Sequence, residues 1–374
     1  MRVLFCRSNP IAPDPRVEKE ARALAGAGYS VRVLGWDRTA VLPSHEHRHG
    51  WELIRLPIRA EYGQGLGNLP ALLRWQYKLW RWLFNHRQEY DVIHACDFDT
   101  ILPALLAKFL YRKRVIYDIF DFYADHLRRT PGWIKAIIRR LDLWAASRVD
   151  ALILVDEARR SQVQGARPHY IEIIYNSPEE IPFLSLSPSP GSFRLAYVGL
   201  LQVERGLFEI IEVMRRHPDW HLDLAGFGGD EKSLLGKIRS LSNISWYGRV
   251  PYEEAIRMSA AADALFATYD PAIPNHRYSS PNKLFEAMML GKPIVVARGT
   301  NMDTIVQKCN CGLVIEYGNV EMLDAAFRRL AADPELRHQL GANARRAYET
   351  TYGWDVMRQR LLTLYMTISN QSGK

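Results

Sequence analysis

Two series of short β-branched and apolar runs, separated by helical patterns, restrict how this chain can fold more than any other feature. In the first series the runs lie at 2–6, 30–35, 52–56, 92–94, 114–117, 151–155 and 171–174. In the second they lie at 194–198, 221–225, 244–247, 264–267, 293–297 and 312–315. Helical stretches such as 17–27, 207–216 and 321–332 fall between them. Strand runs alternating with helical patterns predict an α/β class, with parallel sheets flanked by helices. Between the series, residues 181–192 are rich in Pro and Ser and have no helical period, as an inter-domain linker would. The 374 residues suffice for two separate cores. The expectation is two Rossmann-like domains facing a cleft, the first over 1–180 and the second over 193–354. In open sheets of this class ligands bind beyond the carboxyl ends of the strands, so the cleft is the expected site.

Composition removes several function classes. Hydrophobic residues at 48% with charged residues at 24% describe a globular chain rather than a disordered one. No run of about 18 apolar residues is present to span a bilayer. Residues 1–7 read as a buried strand, too short and too soon charged for a signal peptide. The four cysteines, Cys6, Cys96, Cys309 and Cys311, form no zinc spacing, and a reduced cytoplasmic protein with buried thiols is expected. Charge is unevenly divided: residues 1–180 hold 27 Lys and Arg against 21 Asp and Glu, whereas 181–374 hold 22 against 20. The first half is therefore expected to face something anionic.

Three segments of the second half suit a nucleotide diphosphate. The first strand there runs into Gly199, then Arg205 and Gly206, a glycine-marked turn into a helix. Such a turn offers backbone N–H groups to an anion, and Arg205 can clamp it; a plain turn with a solvated arginine is the equal alternative. The second strand ends in the glycine-rich stretch 226–230, which alone reads as a tight turn. The third segment, 279–297, opens a helix at Pro281 and leaves the amides of Ser279, Ser280 and Asn282 free for an anion. Lys283 and Glu286 lie three apart on one face of that helix. There the carboxylate can accept both hydroxyls of a ribose while the lysine meets phosphate. A surface ion pair is the plainer alternative, but it leaves the position before a buried strand unexplained.

Together the segments 199–206, 226–230, 248–251 and 281–293 resemble the retaining GT-B glycosyltransferases of family 4. In the first half 14–21, 91–94 and 175–178 fit as well, so the resemblance covers essentially the whole chain. The C-terminal stretch from Tyr352, Gly353 and Trp354 resembles the family's closing helix, expected over about 355–374 and packed back on the first domain. The resemblance implies that Arg205 and Lys283 hold the donor diphosphate and Glu286 the ribose. It also implies that the turn of Gly248, Arg249 and Val250 flanks the base.

Three positions depart from the family pattern. Tyr278 stands where the first of two glutamates eight apart is usual, Leu200 where an arginine is usual, and Phe120 where a histidine is usual. A retaining transferase needs mainly stabilisation of charge on the leaving diphosphate, so no protein nucleophile is obligatory. Asp118, Asp121 and Asp99 are candidates for holding the acceptor hydroxyl or taking its proton, with helix capping as the alternative. Asp14 and Arg16 follow the first strand; Arg16 is a candidate contact to acceptor or phosphate, and Asp14 is equally a helix cap. His94, ending an apolar strand, reads as a core histidine.

Residues 72–84 mix three Trp with Arg and Lys and are aromatic almost all round, which suits an interfacial helix on an anionic membrane. In 133–141 the stripe of Ile134, Ile137, Ile138 and Leu141 reads as domain core.

The expected function is transfer of a sugar from a UDP- or GDP-linked donor to a glycan or lipid-linked acceptor, with retention, in polysaccharide or glycoconjugate synthesis. No cofactor or metal is expected, and the location is cytoplasmic, with peripheral contact to the inner face of the cell membrane. The rivals are a nucleic-acid-binding protein, a degenerate nucleotide-sugar-binding subunit, and an epimerase or phosphorylase on the same fold. The nucleic-acid reading leaves the second half unexplained, and none of the three outweighs the family resemblance.

Overall fold

A computed structural model describes residues 1–61, 65–127, 130–181, 191–278 and 280–370. It divides into two compact units, 1–175 with 357–374, and 176–356. Residues 182–190, most of the stretch expected as a linker, lie outside the described residues, as does Ser279.

The first unit carries the strands β1 (Arg2–Arg7), β2 (Ser30–Asp37), β3 (His45–Arg48), β4 (Trp51–Pro57), β5 (Val92–Cys96), β6 (Arg114–Ile119), β7 (Ala151–Leu154) and β8 (Ile171–Ile173). They form one sheet in the order β3-β4-β2-β1-β5-β6-β7-β8. Every pairing is parallel except that of β3 with β4. Its helices are α1 (Pro15–Gly26), α2 (Leu69–Asn85), α3 (Phe98–Tyr111), the single turn α4 (Tyr123–His126) and α5 (Gly132–Ala146). Val3, Leu4, Phe5 and Cys6 of β1 are all buried, which is why that strand reads as continuously apolar. β3 gives no sequence signal, because His45, Glu46, His47 and Arg48 include no β-branched or apolar residue. It is held by a tight turn in which His49 and Gly50 both take positive φ, 31° and 89°, and it ends the sheet with a charged edge.

The second unit carries β9 (Arg194–Leu200), β10 (His221–Phe227), β11 (Ile244–Trp246), β12 (Ala264–Ala267), β13 (Ile294–Ala297) and β14 (Gly312–Ile315). They pair in the order β11-β10-β9-β12-β13-β14, all parallel. Around them lie α6 (Leu207–Arg216), α7 (Glu231–Ile238), α8 (Tyr252–Ala261), α9 (Pro274–Arg277), α10 (Asn282–Met289), α11 (Met302–Cys309), α12 (Val320–Ala332) and α13 (Pro334–Ala347). Leu195, Ile210, Leu224, Phe266, Val295 and Phe327 belong to its core. The strand order reverses between β9 and β12 here, and between β1 and β5 in the first unit. At such a switch point the flanking loops part and leave room for a ligand beyond the carboxyl ends.

The last helix, α14 (Trp354–Asn370), buries Leu361, Leu364, Tyr365 and Ile368. Each apolar side chain removed from water contributes about 1.5–3 kcal/mol, so this stretch is held firmly on the first unit. There the Tyr365 hydroxyl meets His94 Nδ1 at 2.8 Å, and the His94 ring stacks on Phe5. Arg360 donates to the Ile173 carbonyl of β8 at 3.0 Å. Among the described residues no helix is long and apolar enough to cross a membrane.

One expectation is corrected. The stripe on α5 is not core: Ile137 and Leu141 are exposed, Ile134 and Ile138 half-buried, and Trp133 and Trp144 exposed beside them. The buried face of α5 is instead Asp142, Ala145 and Ala146, with Asp142 accepting from the Tyr117 hydroxyl at 2.7 Å.

Candidate active site

Beyond the carboxyl ends of β9 and β10, α8 and α10 border a cavity of about 480 Å³ whose lining includes Gly199, Arg205, Arg249, Asn282, Lys283 and Glu286. Each element delivers one part of it. β9 alternates its side chains, so Tyr197 and Gly199 share a face, and the Lys283 ammonium rests 4.1 Å from the Tyr197 ring centre. A Cβ on Gly199 would come within 2.5 Å of the Lys283 Nζ. Burial pushes the Lys283 pKa down to about 8; Glu286 opposes this and Arg205 adds to it. After β9 the chain makes one 3-10 turn, Val203–Arg205, and Gly206, at φ 70°, starts α6. That turn sets the Arg205 guanidinium 3.9 Å from the Tyr269 ring centre, with its Nε buried and without a hydrogen-bond partner among the described residues.

Pro281, the residue before α10, has no side-chain acceptor with which to cap that helix start. The first amides of a helix point outward at the positive end of its dipole and suit an outside acceptor. There Ser280 Oγ and Asn282 Oδ1 are buried without hydrogen-bond partners among the described residues. Two cations on aromatic seats, a helix start and buried polar atoms beside it suit a diphosphate. Glu286, on the same face of α10 as Lys283, takes a hydrogen bond from the Tyr252 hydroxyl; burial and this carboxylate both push the Tyr252 pKa up. Gly248, at φ 66°, accepts from the Gly226 amide at 2.8 Å and turns Arg249 over the exposed Phe227 ring, 4.7 Å from its centre. A flat guanidinium on an exposed ring at the mouth of the cavity offers a surface for a planar base.

In the first unit, the carboxyl ends of β1, β5 and β6 gather a second polar group. Arg7 pairs with Asp14 at 3.0 Å and with Asp97. The Phe120 ring lies 4.1 Å from the Arg7 guanidinium and 4.9 Å from that of Arg16. Asp97 holds φ at 64°, uncommon for a residue with a side chain, and its Oδ1 accepts from the Phe120 amide at 2.8 Å. Burial raises the Asp97 carboxyl to about 6, against the pull of Arg7. Asp121 keeps 41% of its side chain exposed and pairs with Arg159 at 2.7 Å. Asp99 is buried, and burial pushes its pKa up against a hydrogen bond from Ser8. Asp14 caps α1, accepting from the Val17 amide at 3.3 Å.

Arg16 and Asp118 do not reach a surface. Arg16 donates twice to Asp118, at 3.1 Å each, once to the Ile174 carbonyl, and pairs with Glu20 at 3.2 Å; all three charged residues are buried. His94 lies 3.5 Å from Asp118 and 3.7 Å from Glu20. Glu20, His94 and Asp118 offer ligand atoms within 4.8 Å of one another, but the Arg16 cation already stands among them. The contact to acceptor or phosphate expected of Arg16, and the hydroxyl-binding role expected of Asp118, are thus replaced by an internal network that ties α1, β5, β6 and α14 together.

Comparison with known proteins decides the family. The family "Glycosyl transferases group 1" matches residues 185–347, and "Glycosyl transferase 4-like domain" matches residues 13–177. The chain is a GT-B glycosyltransferase of family 4. This glycosyltransferase is 24% identical over 373 residues to a glycogen synthase of Mycobacterium tuberculosis, with 92% of this chain and 88% of that one aligned. Its fold is that of a sucrose-phosphate synthase from Thermosynechococcus elongatus, with a TM-score of 0.80 at 16% identity, covering 99% and 100% of the two chains. Anabaena HepE, solved in complex with UDP, superposes with a TM-score of 0.74 at 17% identity over 98% and 100%.

Of the positions expected for the donor, six line the glycosyltransferase's cavity, Gly248 shapes the turn behind Arg249, and Ser280 stands before α10. Sequence reasoning missed the aromatic seats. Tyr197 was findable from its period-2 spacing to Gly199. Tyr252, Tyr269 and Phe227 were not, because what selects them is their position across the cavity. It gave Asp97 no role: the Asp-x-Asp form of residues 97–99 was its one local signal, set aside as a metal motif because it lies in the acceptor half. The departures sit quietly: Leu200 is exposed at the end of β9, where its carbonyl accepts from the Tyr197 hydroxyl at 2.7 Å, and Tyr278 is half-buried at the end of α9.

Proposed function

We propose that this glycosyltransferase takes a sugar from a UDP- or GDP-linked donor bound in its second half and passes it, with retention, to a glycan or lipid-linked acceptor in polysaccharide or glycoconjugate synthesis. The observation that carries the reading is the meeting of Arg205, Lys283 and the start of α10, with the Glu286 carboxylate one turn further on. Lys283 and Arg205 meet the diphosphate, and Glu286 takes the ribose hydroxyls. The UDP complex of the HepE neighbour supports a uridine nucleotide.

Charge builds on the leaving diphosphate as the sugar bond breaks. Two fixed cations stabilise the diphosphate more as it takes on this extra charge than in the intact bound donor, and that difference is what lowers the barrier. They also supply the positive charge that a divalent cation would otherwise bring. On the acceptor side Asp121 is the exposed carboxylate of the three candidates, and Asp97 sets its loop through the Phe120 amide. Incubating the protein with UDP- and GDP-sugars and a lipid extract tests the reading. Release of one nucleoside diphosphate, with loss of release in Lys283→Ala, is expected. Equal release by the variant would overturn the assignment.

A further inference from the structure

α3 is apolar on both of its sides. Ile101, Ala104 and Leu105 pack inward and are buried, whereas Leu102, Leu106, Phe109 and Leu110 are exposed on the opposite face. A helix apolar all round belongs in an interior or against a bilayer, and an outer face of this kind lacks its partner. The neighbours extend that face. α2 and α5 both pack against α3. α2 buries Trp75, Leu79 and Leu83 and exposes Leu69, Leu73, Tyr77 and Phe84. Its Phe84 ring lies 5.9 Å from that of Tyr111 at the end of α3. On α5, Trp133, Ile137, Leu141 and Trp144 recur at helical spacing and are exposed, Trp133 by 68%.

The charges along these helices have one sign. Arg74, Lys78, Arg81, Arg139 and Arg140 are exposed. The acids on the three helices are Asp99 and Asp142, and both are buried. We propose that α2, α3 and α5 form one face that docks on an anionic lipid leaflet, aromatic and aliphatic side chains entering the interface and the cations meeting headgroups. Each cation near such a surface adds attraction to the anionic headgroups, and the apolar side chains add their burial. A second copy of the chain is a poor occupant, since a self-complementary contact would set these cations against one another. The inference rests on the acceptor reading only for its purpose, bringing a lipid-linked acceptor to the half that lies on the membrane.

The test mixes the full chain with sedimenting vesicles of phosphatidylcholine, with and without phosphatidylglycerol. Binding to the anionic vesicles is expected to exceed that to the neutral ones by about tenfold or more and to weaken with salt. A variant combining Leu106→Ser, Phe109→Ser, Trp133→Ser and Ile137→Ser changes only exposed positions. It is expected to lose vesicle binding while keeping its melting temperature and its response to nucleoside diphosphate. Absence of binding to anionic vesicles at low salt would overturn the proposal, as would undiminished binding by the variant. So would a lipid-free dimer that the variant abolishes. Vesicle binding without any nucleotide response would separate failure of the donor reading from failure of this one.

Discussion

The Lys283 ammonium sits over the Tyr197 ring, in space that stays open only because residue 199 has no side chain. One glycine thereby sets the position of a cation, and a neighbouring one does something different. A Cβ at Gly199 meets the far end of a flexible lysine, at 2.5 Å, whereas a Cβ at Gly226 meets the Gly199 carbonyl oxygen at 1.8 Å. Gly199→Ala is therefore expected to weaken nucleoside diphosphate binding by about tenfold, or ~1.4 kcal/mol, and to lower the melting temperature only by the strain of a side chain at φ 156°. Gly226→Ala is expected to lower the melting temperature considerably more, by forcing the backbones of β9 and β10 apart, and to do so whether or not nucleotide is present. Calorimetry of binding and of unfolding on both variants separates the two outcomes.

The depressed Lys283 pKa gives a pH dependence with a definite sign. The free protein loses this proton near pH 8, whereas an ordinary lysine holds it to 10.5. Between these values the unfolded chain binds more protons, so stability rises with pH there, and the cost of holding the charged lysine is present in full below pH 8. Diphosphate binding needs the ammonium and runs the other way. Affinity is expected to fall as the pH rises through about 8, and Lys283→Arg is expected to abolish this inflexion. Titration calorimetry across that range checks it; a flat profile in the unsubstituted protein would contradict it.

Arg16 tests the buried network of the first half. Removing its guanidinium leaves Asp118 and Glu20 without their common partner, and burial already pushes the Glu20 carboxyl up despite Arg16. Arg16→Met is expected to destabilise the protein by about 3–5 kcal/mol, the usual cost of leaving a buried charge unpaired. Urea unfolding measures it. Unchanged stability with a selective loss of acceptor affinity would return Arg16 to a surface role.

Much of the architecture was legible because parallel strands buried on both faces are written as uninterrupted apolar runs, as in β12 and β13. β3 was not, since an edge strand held by one neighbour and a tight turn needs no apolar residue. The α5 stripe misled for a physical reason: apolar residues at helical spacing predict one covered face, but do not say what covers it. Asp118 and Arg16 misled likewise, because a charged residue at a strand end reads the same whether a cavity or an opposite charge lies beyond it. Lys283 and Glu286 were legible because their spacing fixes them on one face of a helix. Their aromatic seats depend on residues far away in sequence.

The central claim is a donor site at the start of α10. Thermal unfolding in the presence of UDP, GDP, ADP or TDP, for the unsubstituted protein and Glu286→Ala, tests it most directly. The account predicts a rise in melting temperature with one of these diphosphates and its loss in the variant. No rise with any of the four, or a rise that Glu286→Ala leaves intact, would contradict it.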